Sequence, residues 1–199
     1  MIGQDIIDLF ASLGDLGMLL AIVLIILIDG TAFPTLPEVW MVWVFGVHPE
    51  SIAWAATLVL VASVASLLGN FTLYGFVKLV KLPNWIQKRM RQYTNFLLVH
   101  DERLLLLNRI APIIPYTGAF IAACNWNIKK CAAYIFISAL VKFTIIVVIS
   151  WASFESLKDE IAPWVSLGFV AIFLVSSIIV SFIYKKHRIS KGEPKRSQS

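Results

Sequence analysis

Histidine and cysteine are scarce in this chain, three of one and two of the other. His48, His100 and His187 stand apart, with no metal-ligating partner at helical spacing. Cys124 and Cys131 form no close CxxC, so no metal site is expected and both cysteines are read as apolar packing residues. There is no HExxH, no aspartate-rich metal motif and no Ser-His-Asp set at a membrane surface, which weighs against an enzyme acting on lipid phosphates. Neither a cofactor nor a nucleic-acid partner is expected. Charge is scarce too. Asp, Glu, Lys and Arg make up 15% of the residues, against about 25% in a soluble domain.

What replaces charge is apolar surface. The chain is 59% hydrophobic with a mean hydropathy of +0.81, the composition of an integral membrane protein. Its first residues carry Asp5 and Asp8 but no basic residue and no small-x-small cleavage pattern, so no removable signal peptide is expected. Three apolar runs are long enough to span a bilayer: Ile52 to Val80, Cys131 to Ser153 and Trp164 to Tyr184. Between the first of these and Arg103, the residues Trp85, Ile86, Met90, Tyr93 and Leu97 recur at helical spacing against Lys88, Arg89, Arg91 and Gln92. That pattern predicts an amphipathic helix lying on the membrane surface.

Two further apolar stretches are interrupted. Leu16 to Ile28 runs into Asp29, Pro34, Pro37 and Glu38 and resumes from Val39 to Val47. Leu104 to Leu107 runs into Arg109, Pro112 and Pro115 and resumes from Gly118 to Cys124. A helical crossing needs about 20 apolar residues, and each limb offers roughly half of that. The expectation is a pair of re-entrant hairpins, because backbone freed by proline at membrane depth persists only where protein or a cavity satisfies it. Basic residues sort to one side: Lys78, Lys81, Lys88, Arg89, Arg91 and Arg103 before the second break, Lys129 and Lys130 after it, and six in the tail from Lys185 to Arg196. The loop from Phe154 to Pro163 holds Glu155, Asp159 and Glu160 against Lys158, and His48 to Glu50 carries no Lys or Arg. The positive-inside rule then places the second hairpin and the tail at the cytoplasm and opens the first hairpin outward.

The expected fold is therefore all-α and membrane-integral. An inverted repeat, each half a re-entrant helical hairpin plus a transmembrane helix, is joined by an interfacial helix and followed by a further C-terminal transmembrane helix. Residues 1–184 form one embedded domain and 185–199 a basic cytoplasmic tail in the cell membrane. Opposed hairpins meeting near the midplane are the architecture of secondary transporters.

Four ionisable residues are candidates for the site. Arg109 offers a planar fork of donors suited to a phosphate, or else an ion pair with Asp29 or Glu38. Lys142, midway along a span, can supply a second positive charge or neutralise an acid. Glu38, directly after Pro37, is either a helix-capping acid or a proton or substrate group. Asp29 opposes the helix dipole where it stands, which favours a functional role.

The strings Asp29-Gly-Thr-Ala-Phe-Pro-Thr-Leu-Pro-Glu38, Gly69-Asn70 with Tyr74 and Gly75, Asn108-Arg109-Ile-Ala-Pro112, Gly118 and Trp126-Asn127 resemble the DedA family, also called SNARE-associated or VTT-domain proteins, over residues 16–153. The resemblance implies opposed re-entrant hairpins and movement of lipids across the bilayer, whether flipping polyprenyl-phosphate carriers or scrambling phospholipids, often with dependence on the proton gradient. The chain has Pro115 where family members often carry a second arginine, Asp29 where Glu is usual, and Asn70 in place of Asp. An anionic lipid is the expected substrate and protons a possible partner. A proton-coupled transporter of a small ion or solute is the alternative.

Overall fold

The computed structural model describes residues 9, 13–31, 35–80, 82–95, 102–110, 116–156, 161, 164–169, 171–172 and 175; among these, the side chains of 93–95, 107, 109, 110 and 156 are not described. Every element among them is helical. In chain order they are α1 (Gly14–Thr31), α2 (Pro37–Phe45), α3 (Ile52–Val80), α4 (Asn84–Asn95), α5 (Leu104–Ile110), α6 (Thr117–Cys124) and α7 (Ile128–Ser156), with a helical stretch over 164–169.

Three helices are long and apolar enough to cross a membrane, α1, α3 and α7, with mean hydropathies of 2.0, 2.1 and 2.4. Large apolar side chains point outward from each, such as Leu16, Leu20 and Leu24 on α1, Leu60, Val64 and Leu68 on α3, and Ile137, Val141 and Val148 on α7. Water would not tolerate that much exposed apolar surface, and lipid does. The chain is a membrane protein. Polar side chains within α3 bond back to their own helix: Ser63 Oγ donates to Val59 O at 2.7 Å and Asn70 Nδ2 to Ser66 O at 2.8 Å, which satisfies them without water.

Several bounds differ from the expectation, and α7 runs three residues beyond the expected Cys131 to Ser153 at each end. The first limb is not a half-span of Leu16 to Ile28 but an 18-residue helix, about 27 Å long, which reaches most of the way across the hydrocarbon core. It outruns the apolar run because Asp29 does not end it: the carboxylate serves the chain beyond the helix, and Thr31 Oγ1 donates back to Ile28 O at 3.0 Å. Likewise α5 continues past Leu107 to Ile110 and contains Asn108 and Arg109; it stops ahead of Pro112, whose ring disfavours helical backbone just before it. By contrast α2 and α6, of 9 and 8 residues, reach only about 12–14 Å, too short to cross. Within the Pro83 to Arg103 pattern the structure describes α4, and Leu97 lies outside the described residues. The expected span from Trp164 to Tyr184 is described only in its first part; most of it and the tail lie outside the described residues.

The long helices α3 and α7 run antiparallel, as their partners reveal. The N-terminal half of α3 (Trp54, Leu58, Ala62, Ala65) and the stretch of α7 from just before its middle onward (Ala139, Phe143, Ile146, Val147) share one core with α1 and α2. The other halves share a second core, where Leu105 of α5 and Ile121 of α6 meet Cys131 and Ile135 of α7, flanked by Leu67 and Phe71 of α3. The two short helices thus pack toward opposite ends of the α3 and α7 pair.

Candidate functional site

The segment after α1 is held by its own side chains. Asp29 Oδ1 accepts the Thr35 amide at 3.1 Å, Thr35 Oγ1 donates to Ile25 O at 3.0 Å, and Thr35 O accepts Trp40 Nε1 at 3.1 Å. Thr35 is the pivot of the turn, and Asp29 answers one of the amides that the interruption leaves without a helical partner. Leu36 then takes a left-handed conformation at φ 50°, a cost of about 1–2 kcal/mol for a residue with a Cβ. Pro37 opens α2 in its first turn, where its missing N–H is harmless. The second short helix is entered in the same manner: Tyr116, at φ 53°, precedes Thr117. Two non-glycine left-handed residues at matching helix entries are strain the surrounding packing must hold in place.

Glu38 follows Pro37 in the first turn of α2, where the helix dipole favours an acid. It is buried, and its Oε1 pairs with Lys142 Nζ of α7. Lys142 lies 14 residues from each end of α7 (142 minus 128, and 156 minus 142), about 21 Å along the axis, so it cannot snorkel to water. Its ammonium is also 5.7 Å from the Phe143 ring centroid. Of the roles open to Lys142, the structure places it on an acid. Of those open to Glu38, it adds a third: an acid with a buried counter-ion. Two charges at this depth each cost at least about 2.5–3.5 kcal/mol alone, and pairing is what offsets that cost.

Three glycines set how closely the elements around this pair approach. A Cβ on Gly30 would fall 3.1 Å from Gly69 Cα, and one on Gly118 only 2.2 Å from Asn70 O. The end of α1 and the start of α6 therefore meet α3 at consecutive residues, 69 and 70, a few residues past its middle. Asn108 of α5 donates through Nδ2 to Thr117 Oγ1 of α6 at 3.1 Å, tying the two limbs of the second interrupted stretch together. Arg109 lies in the last turn of α5, and its side chain is outside the described residues; so are Pro34, Pro112 and Pro115. The partner found for Glu38 is Lys142, and the alternative in which Arg109 pairs with an acid is not addressed by the described residues. No disulfide joins Cys124 and Cys131.

Sequence reasoning missed Thr35 and the contact that closes one end of the bundle. There, His48 Nε2 lies 2.9 Å from Asp15 Oδ1 of α1 and its ring packs edge-on to Trp54 at 5.4 Å, while Trp54 Nε1 donates to Val44 O. Residues this far apart in the chain leave no local pattern to read.

Fold and site together define an all-helical membrane protein with a buried ion pair beside an interrupted helix. Compared with models of protein families, with curated proteins and with solved structures, the chain matches none of them.

Proposed function

We propose that the protein is a membrane transporter that moves an anionic lipid, such as a polyprenyl phosphate or a phospholipid, across the bilayer as a flippase or scramblase, in the manner implied by its resemblance to the DedA family. The observation that carries this reading is the convergence of two helices too short to span, α2 and α6, from opposite ends of α3 and α7, with α1 and α6 meeting α3 at Gly69 and Asn70. Read as an inverted repeat of re-entrant hairpins, the arrangement leaves irregular backbone at membrane depth, where transporters bind their substrates. Arg109, on the limb leading into the second interruption, is assigned the phosphate. Lys142 is occupied by Glu38 and is not assigned it. The protein acts in the cell membrane with the α4 end and the tail facing the cytoplasm, and carries out transport rather than catalysis.

The buried Glu38 and Lys142 pair favours one alternative, a proton-coupled transporter of a small ion or solute, because a titratable pair at mid-depth suits ion coupling as well as lipid movement. In proteoliposomes, Arg109→Ala should abolish movement of a fluorescent anionic lipid while leaving the protein monodisperse. Arg109→Lys should also be poor, since an ammonium lacks the bidentate fork. Normal lipid movement by Arg109→Ala would overturn the assignment.

A further inference from the structure

We infer that α4 carries a surface binding site for the phosphate headgroup of an anionic glycerophospholipid, centred on Lys88 and Arg91. It does not rest on the transport reading. Asn84, Gln87, Lys88, Arg91 and Gln92 recur at i, i+3, i+4, i+7 and i+8, so they share one face of the helix. That face lines an open trough of about 330 Å³. The helix holds three basic residues and no acid.

Its polar face is held in position. Arg91 Nε donates to Ala123 O of α6 at 2.8 Å and Gln87 Nε2 to Leu82 O at 2.8 Å, while Met90 packs against Leu104 and Phe120 on a different side of α4. The bundle end around it is strongly basic. Lys78 closes α3, Arg103 precedes α5, and Lys129 and Lys130 open α7 with their amides capped by Asn127 Oδ1; Glu102 is the one acid among the described residues of that end. An anion is drawn there, and α4 offers no carboxylate to hold the ammonium of a zwitterionic lipid.

A lipid, rather than a soluble anion, fits because exposed apolar side chains stand on α4 and on the chain that leads into it. Trp85 is 69% exposed, and Leu79 and Val80, which lead into α4, are 83% and 59% exposed. These side chains suit the boundary between headgroups and acyl chains, with the basic face at the phosphates.

The test uses the full chain purified in neutral detergent, with dioctanoyl-phosphatidylglycerol, dioctanoyl-phosphatidylcholine and inorganic phosphate as probes and retention measured by native mass spectrometry. Wild type should prefer phosphatidylglycerol over phosphatidylcholine. Lys88→Gln should weaken phosphatidylglycerol binding about fivefold, the loss expected for one basic residue at an anionic surface, and Lys88→Arg should retain it. Lys88 is exposed, so neither variant should alter the melting temperature. Equal retention of the two lipids, unchanged binding by Lys88→Gln, or phosphate held as tightly as the lipid would each overturn the site.

Discussion

Replacing Lys142 by Met leaves Glu38 buried and without its ammonium; replacing Glu38 by Met leaves Lys142 stranded in the middle of α7. Both partners are nearly inaccessible, with side-chain exposures of 6% for Glu38 and 13% for Lys142, so little of the interaction is screened by water. Removing one member of a buried pair costs about 3–5 kcal/mol, whereas exchanging both for apolar residues of similar volume is often close to neutral. For a chain of this size each kcal/mol moves Tm by about 2–4 °C, so either single variant should melt about 6–20 °C below wild type. Glu38→Met should also lose the smaller dipole contribution of about 0.3–1 kcal/mol at the start of α2. The double variant should recover most of the loss, because Met at both positions sits among Trp40, Met41, Phe143 and Ile146 of the same core. Tryptophan-fluorescence melts of all four proteins in one detergent measure this directly. Were the two single losses simply to add in the double variant, within about 0.5 kcal/mol, the buried pair would be refuted.

Three other outcomes are expected, two from the packing and one from the proposed orientation. Gly118→Ala puts a methyl 2.2 Å from Asn70 O, so α6 must part from α3 and the thermal melt should fall by several degrees, while Gly75→Ala, with open space around it, should be neutral or stabilise by up to about 1 kcal/mol. Asp29→Ala strands the Thr35 amide and should cost about 1–3 kcal/mol in the same melt, while Asp29→Asn, which keeps an acceptor for that amide, should lose less. In a cysteine-free background, single cysteines at His48 and Asp159 should label from outside intact cells and ones at Lys129 and Ser190 only after permeabilisation; outside labelling at Lys129 would contradict opposed hairpins.

How much of this was legible in the sequence depended on whether a residue's partners were near it in the chain. The bounds of α3 follow from an apolar run bracketed by Ser51, whose Oγ accepts the Trp54 amide, and by Pro83. The full length of α1 did not show, since an aspartate in an apolar run reads as a stop, and the hydrogen bond that makes Asp29 part of the helix comes from Thr35 on the far side of the turn. Arg109 was read as part of the interruption because charge and proline lie together there, yet the backbone stays helical to Ile110. The partner of Lys142 was out of reach in principle. Its position at mid-span left two roles open, a second positive charge or the neutralisation of an acid, and the pairing with Glu38 depends on how α2 packs on α7, which no local pattern encodes. The glycines at 30, 69 and 118 show the same limit: they stand among the residues that carry the family resemblance, but the close approach of Gly30 and Gly118 to α3 at residues 69 and 70 is visible only in the fold.

The most direct test of the central claim is lipid movement itself. Wild type, Asp29→Asn and Glu38→Gln would be reconstituted in liposomes carrying fluorescent phosphatidylglycerol and polyprenyl-phosphate probes, at matched and unmatched pH, with solute and ion flux recorded in parallel. The account predicts that wild type moves an anionic lipid between leaflets; a rate that rises with the pH gradient and loses that rise in the amide variants marks a proton-coupled flippase, and equal rates in all three mark a scramblase. Ion or solute flux with no lipid movement under any of these conditions would contradict it.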